Sequence, residues 1–348
     1  MRSVCLCFQV HQPFRLRWFW PHEGYESDSA SLDLYFDQSF NHSVFEEISE
    51  LYIRSNRMIH DTGIACTFNL SGTLFDQSMW NPELIRSFKK LRGVVEFASS
   101  PYYNSLSPLF EEKGEFLRQV RMHRDALSDL IGVRSTTFIN TELIHNSIVA
   151  RLVSELGFSA VVSEGVFGLG DHCSAFDDGV LPVLFRHPVL SCDLEFRSHD
   201  TLWCEYPLTA SKFAEWIAQM EGNVLTLYLD YGSVSHEFLE DLLHELGLRG
   251  IELLTVSEAV SRFDSVFYDG ALHLSRLNLK HCLSNHMQHL YLHELGRLSQ
   301  IMGAGGDEIF GYLQQADILF EMGEEKPYPF DYAVNTFSIL SDYARRRV

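Results

Sequence analysis

Short apolar runs recur along the first part of this chain, at 3–10, 64–70, 94–98, 136–140, 159–163, 181–185, 224–229 and 251–254. Between most of them lie longer segments with helical spacing, at 42–61, 81–91, 111–131, 146–156, 211–220 and 235–247. A strand followed by a helix that carries the chain back to start another strand builds a parallel sheet, and the helices then cover it. About eight such units over roughly 260 residues fit a barrel of the β/α type, complete or incomplete. The helix ends are locally consistent with this reading. Asn146-Ser147 can cap a helix that Gly157 closes, and Thr209-Ala210-Ser211 opens one that ends before Gly222.

Segment 165–207 departs from the alternation. It carries Gly165, Gly168, Gly170, Gly179, Pro182 and Pro188 and little helical pattern, so it is expected as an excursion over the mouth of the sheet. From about 271 the strands stop. Helices are expected over 274–301, 306–322 and 331–346, separated by Gly303-Ala304-Gly305-Gly306 and Lys326-Pro327-Tyr328-Pro329. The expected organisation is therefore a barrel over 1–270 and a helical region over 271–348. Arg345-Arg346-Arg347 is expected as a solvated tail.

The net charge of −20 argues against a nucleic-acid partner, which calls for a basic stripe. A neutral substrate such as a sugar is compatible with it. No apolar run reaches membrane-spanning length. The stretch Val4-Cys5-Leu6-Cys7-Phe8 runs into Gln9-Val10-His11-Gln12-Pro13 without a small-residue cleavage site, and reads as a first strand. Seven scattered cysteines with no Cys-x-x-Cys suggest free thiols in a reducing, cytoplasmic setting. Cys5 and Cys7, two apart on a strand, share a face that is expected to be core.

Two carboxylates stand where strands end. Glu142 follows Thr136–Ile139 in the sequence Asn140-Thr141-Glu142, and Asp230 closes Val224–Leu229 ahead of Tyr231-Gly232. The C-terminal ends of parallel strands are where α/β enzymes keep their reactive groups. A glutamate among hydrogen-bond donors stays ionised and can attack an anomeric carbon, whereas an aspartate buried beside Tyr228 and Tyr231 can hold a proton. Against these stand plainer roles, an ion pair for Glu142 and an Asp-initiated turn for Asp230. His11-Gln12-Pro13 offers donors and acceptors after the first run, and Ser71-Gly72-Thr73 follows the second; taken alone, the first reads better as a polar turn and the second equally well as a strand-to-helix turn. His289 and His293 share a helix face, but His-Leu-Tyr-Leu-His lacks the zinc-protease glutamate, so the late histidines, His281 and His286 included, are expected on a wet or partly buried helix surface and no metal is expected. There is no Gly-x-Ser-x-Gly, no Walker loop and no Gly-x-Gly-x-x-Gly, which disfavours esterase, kinase and dehydrogenase chemistry. Trp18, Trp20, Trp80 and Trp203 are candidates for stacking on sugar rings, with core packing the commoner role.

Taken in order, these pieces resemble glycoside hydrolase family 57, the α-amylase-like family. His11-Gln12-Pro13, Ser71-Gly72-Thr73, Phe138-Ile139-Asn140-Thr141-Glu142 and Leu229-Asp230-Tyr231 match its successive regions, with Tyr102-Tyr103-Asn104, Ser163-Glu164-Gly165, Asp193-Leu194-Glu195-Phe196-Arg197 and Tyr312-Leu313-Gln314 with Asp317 between and after them. The resemblance implies a parallel (β/α)7-type incomplete TIM barrel followed by a C-terminal helical region. It implies retaining cleavage or transfer of an α-glucan or maltooligosaccharide, with Glu142 as nucleophile and Asp230 as general acid/base, and no cofactor. His11, Gln12, Ser71, Gly72, Tyr103, Asn140, Tyr231 and Asp317 become the candidate substrate contacts. The pattern departs at Ser100, Asn104, Gly232, Phe310 and Ile318, which leaves open a family member that binds α-glucan and turns it over poorly.

Overall fold

The computed structural model describes residues 2–22, 29–165, 174–267, 274–303 and 306–347, the side chains of 277 and 278 apart. Seven parallel strands form a ring: β1 (Ser3–Val10), β2 (Thr67–Leu70), β3 (Glu96–Ala98), β4 (Thr137–Ile139), β5 (Ala160–Glu164), β7 (Pro182–Arg186) and β8 (Val224–Asp230). β1 pairs β2 on one edge and β8 on the other, β4 pairs β5, and β5 pairs β7. Two junctions are thin. Ser99, just past β3, bonds backbone to backbone with Thr137 and Ile139 of β4, at 2.9 Å each. β7 meets β8 only at Arg186 and Thr226, with His187 N donating to Thr226 O at 2.8 Å. The sheet is thus a nearly closed seven-stranded barrel.

Side-chain alternation along each strand explains why it closes. On β1, Val4, Leu6, Phe8 and Val10 face the surrounding helices, while Cys5 and Cys7 point inward. On β8, Leu225, Leu227 and Leu229 face out and Val224 and Tyr228 face in. The interior lining is mostly small, with Ala98, Ala160, Val162 and Ala175 beside Ile139 and Leu184. Seven strands enclose a narrower bore than eight, and small, fully buried residues suit it. The bulky Phe8, Phe68 and Phe97 sit outside, packed on the Gln38–Thr62 and Pro82–Lys90 helices.

The expected runs and helices correspond to observed elements, with five differences. The run at 251–254 forms only β9 (Glu252–Leu253), which covers the start of β1 and adds no stave. Segment 165–207 is not all excursion. It contains β6 (Ala175–Asp177), the barrel strand β7 and the Pro188–Glu195 helix; residues 166–173, with Gly168 and Gly170, lie outside the described residues. The helix expected from 274 starts at His286, where Asn285 and Gln288 form a capping box, and Arg276–Leu279 is a separate turn. The helix expected over 306–322 breaks at Gln314–Gln315, where Gln315 turns to a non-helical backbone with ψ of 135°, bridges Ser105, and lets Ala316 N donate to Asn104 O at 3.0 Å, while its side-chain amide holds both backbone groups of Phe14 at 2.7 and 3.1 Å. Arg345, Arg346 and Arg347 are not a loose tail either. They end the Pro329–Arg347 helix and pair with Asp342 and Asp307.

The C-terminal helices build their own apolar cluster with the loop after β1, including Phe14, Tyr35, Tyr291, Tyr312 and Tyr343. A polar knot ties this cluster to the barrel. Asp76 accepts from Tyr102 at 2.6 Å and meets the Tyr312 hydroxyl at 2.9 Å, and that same hydroxyl lies 2.6 Å from Glu308. One phenol proton cannot serve two ionised carboxylates, so the knot favours an additional proton. Burial pushes the Asp76 carboxyl up to about 6; the two tyrosine hydrogen bonds oppose the shift and the Glu308 charge adds to it. A carboxyl raised in the folded state stabilises the fold at low pH and loses that contribution as pH rises from about 4 through 6, by about 3 kcal/mol at most. Asp76→Asn supplies the missing donor permanently. Melting curves from pH 5 to 7.5 should show the variant gaining about 3 °C on wild type across that range. Parallel curves would contradict the shared-proton account.

Candidate active site

The inward parity of β1 and β8 continues beyond the barrel's rim. Cys5, Cys7 and Gln9 share a face on β1, and His11 follows on the same parity; Tyr228 is followed by Asp230 on β8. A cavity of about 420 Å³ opens at this C-terminal mouth, and His11, Glu142, Glu195, Asp230, Arg276 and Asp317 all line it. Phe196 and Phe320 give it two partly exposed aromatic walls.

Glu142 reaches the cavity through an unusual backbone. Glu142 and Leu143 both have φ of 53°, a left-handed conformation uncommon for side chains of this size. Asn140 spans the turn, accepting from Thr141 N at 3.1 Å and donating to Ile144 O at 2.8 Å. Strain held in place by neighbours in this way is a recurrent feature of functional turns. Glu142 Oε2 lies 2.8 Å from His281 Nε2. Burial opposes its ionisation, but the His281 hydrogen bond and charge, with the Arg276 charge, outweigh it and hold this carboxyl below its ordinary range.

Asp230 is pushed the other way. Burial raises its carboxyl and the Glu195 charge adds to that, while the Gly232 N–H bond at 2.8 Å and the His11 and Arg276 charges only partly oppose it. Glu195 also accepts from Arg276 at 2.6 Å and lies 3.6 Å from Arg186. Arg186 is fully buried at the end of β7, bonded to Glu164 at 3.1 Å and to the Tyr228 carbonyl at 3.2 Å. This chain of alternating charges spans β5, β7, the Pro188–Glu195 helix and the 276 turn, and it fixes Arg276 between Glu195 and Glu142. Across the cavity, His11 Nε2 is 2.8 Å from Asp317 Oδ2 and its Nδ1 is 3.2 Å from the Thr73 hydroxyl. Burial raises the Asp317 carboxyl, but His11 and a hydrogen bond from Asn104 offset this and leave it lowered.

Of the residues singled out from sequence, the structure brings Glu142, Asp230, His11 and Asp317 to one cavity. Six others lie behind it. Tyr231 has the parity of Leu229, so it faces outward, stacks on Tyr52 and donates to Asn56 at 2.9 Å. Gln12 likewise turns toward Tyr52. Ser71 caps the Gly72–Gln77 helix and bonds the Thr73 hydroxyl at 2.9 Å, so it touches the site only through Thr73 and His11. Gly72 lets the Tyr102 ring approach to where a Cβ would sit 2.3 Å away. Tyr103 is packed on Gly311 and Tyr312, and Asn140 is spent on its turn. Trp80 and Trp203 pack on the core and Trp18 and Trp20 are exposed; none of the four lines the cavity. His286, His289 and His293 are exposed as expected, but His281 is not on that helix at all and belongs to the site. Arg276 and His281 carried no motif, and Glu195 appeared only as one letter of a longer matching stretch.

Two carboxyls facing one polar cavity, one held ionised and one driven toward its protonated form, are equipped for paired nucleophilic and acid/base work. Residues 5–268 match the model of Glycosyl hydrolase family 57. A Methanocaldococcus jannaschii protein named "Putative alpha-amylase" is 31% identical over 280 residues, 74% of this chain and 59% of that protein. The chain therefore spans about three fifths of that relative's length. Among solved structures, the family 57-type branching enzyme of Pyrococcus horikoshii has a TM-score of 0.70, covering 98% of this chain and 88% of that one at 12% identity. The 4-alpha-glucanotransferase of Thermococcus litoralis has a TM-score of 0.62, covering 98% and 55% at 16% identity. At these identities the structural likeness is one of fold. With the family model spanning the barrel and the relative's identity over most of the chain, the protein belongs to glycosyl hydrolase family 57.

Proposed function

We propose that this chain is a retaining α-glucan-active enzyme, a glycoside hydrolase or 4-α-glucanotransferase, with Glu142 as nucleophile and Asp230 as general acid/base. The opposite displacement of the two carboxyls carries the reading. Glu142 attacks the anomeric carbon while Asp230 delivers its proton to the leaving oxygen; Asp230 then takes a proton from water or an acceptor sugar as the ester opens. Retention by this route calls for the carboxyls to work about 5–5.5 Å apart. His281 and Arg276 spread the charge of Glu142 without needing a metal, and Phe196 and Phe320 offer faces for sugar rings. No helix of the described residues is long and apolar enough to cross a membrane. The six described cysteines are free, which supports a cytoplasmic setting.

Incubation with maltooligosaccharides of graded length, read by product mass, tests the proposal. Shorter products alone mean hydrolysis, and longer products alongside them mean transfer. A second reading, a glucan binder with little turnover, is favoured by Gly232, which brings no side chain to the site beside Asp230. Calorimetric binding of the same sugars with no product formed would select it.

A further inference from the structure

The cavity wall contains a second constellation that borrows Glu142 and His281 from the glycosidic chemistry and adds Cys282, which that chemistry does not use. Glu142, His281 and Cys282 each offer a ligand atom, and these atoms lie within 4.8 Å of one another. Among the described residues it is the one cluster of three metal-ligating groups with that spacing. All three residues line the open cavity, so an ion in solution has a route to them. We propose that Glu142, His281 and Cys282 form a site for a thiophilic divalent cation, zinc or its close analogues, and that filling it takes Glu142 out of service.

The donor set argues for this class of ion. One thiolate, one imidazole and one carboxylate with a vacant fourth direction toward the cavity is a tetrahedral zinc set, whereas magnesium and calcium call for oxygen ligands throughout. Ligand atoms around tetrahedral zinc sit about 3.3–3.7 Å apart, given bonds of about 2.0–2.3 Å. The His281–Glu142 contact at 2.8 Å must therefore open slightly, with Cys282 moving in, shifts within the reach of side-chain rotation. The 2.8 Å contact already needs something positive between its two atoms. A proton fills that role when the ion is absent, and His281 Nδ1 is buried with no partner among the described residues. On binding, the shared proton and the Cys282 thiol proton leave to solvent, and the cation takes both positions. Asp317 lines the same cavity as the three ligands, so its carboxylate adds to the attraction for a divalent ion.

Cobalt(II) is the probe, because a thiolate ligand gives it a near-ultraviolet charge-transfer band and tetrahedral geometry intensifies its visible bands. Wild type should develop both on addition of one equivalent, and zinc should bleach them by competition while magnesium does not. Cys282→Ser should lose the charge-transfer band, and His281→Gln should weaken cobalt binding at least tenfold. The second variant keeps the test decisive should the first not fold. No thiolate band in wild type, or an equal band in Cys282→Ser held by another thiol such as exposed Cys204, would overturn the site. The inhibitory clause rests on the proposed glucan activity and is read separately. Zinc should slow wild-type turnover of maltooligosaccharide at least tenfold, and Cys282→Ser less than threefold relative to its own zinc-free rate. Equal inhibition of the two would remove that clause. An enzyme silent on glucans that still shows the cobalt band would count against the activity and for the site.

Discussion

Glu142→Gln should lower turnover of a maltooligosaccharide by at least about 10⁴-fold while the melting temperature stays within a few degrees of wild type. Glutamine keeps the shape and one acceptor for His281, but a neutral amide cannot form the glycosyl ester. The loss belongs in the chemical step, so binding of the same sugar, measured by calorimetry, should survive. The truncated Glu142→Ala gives a sharper readout. It leaves room where the carboxylate stood, so added azide can attack the anomeric carbon from the vacated side and restore cleavage, appearing in the product as a glycosyl azide. Undiminished activity of Glu142→Gln would remove this residue as nucleophile. Azide rescue at any other acidic position, with none here, would move the assignment to that position.

The barrel was legible because its strands obey period two and its helices period 3.6, and both signals are local. The same local rule carried further than it was taken. Leu225, Leu227 and Leu229 face the helices, so Tyr231 must as well, and counting parity from the apolar set excludes it from the mouth. Gln12, two past Val10, falls to the same count. Arg276 and His281 were illegible for a different reason. They reach Glu195 and Glu142 from a turn placed by long-range packing, where the expected helix fails: Leu279 has φ of 57°, and no periodicity announces that break. The left-handed turn at Glu142 was hidden as well, since Asn140-Thr141-Glu142 has no glycine to mark it. The carboxylates at the strand ends and Asp317 were thus within reach of sequence reading, whereas Arg276, and His281 as the partner of Glu142, were not.

Asp230→Asn should divide its effect by leaving group, and this separates an acid/base role from mere sugar binding. Maltooligosaccharide has a poor leaving oxygen that needs a proton, so its turnover should fall by about 10³-fold or more. An α-glucosyl fluoride departs with little help, so its first step should proceed at a rate close to wild type. The ester then accumulates, because no base activates water, and a burst of fluoride followed by a slow phase should appear. Azide, which needs no deprotonation, should speed that slow phase. The pH profile gives an independent check of sign. In the proposed mechanism, wild-type activity requires Glu142 ionised and Asp230 protonated. It should rise through the depressed Glu142 ionisation at the acid end and fall through the raised Asp230 ionisation at the alkaline end. Asp230→Asn should keep the acid limb and lose the alkaline one. If fluoride and oligosaccharide are slowed alike and both limbs persist, Asp230 positions the sugar, and the proton comes from another group facing the cavity, with Glu195 the first to test because its carboxylate already lies 3.4 Å from the Asp230 backbone N–H.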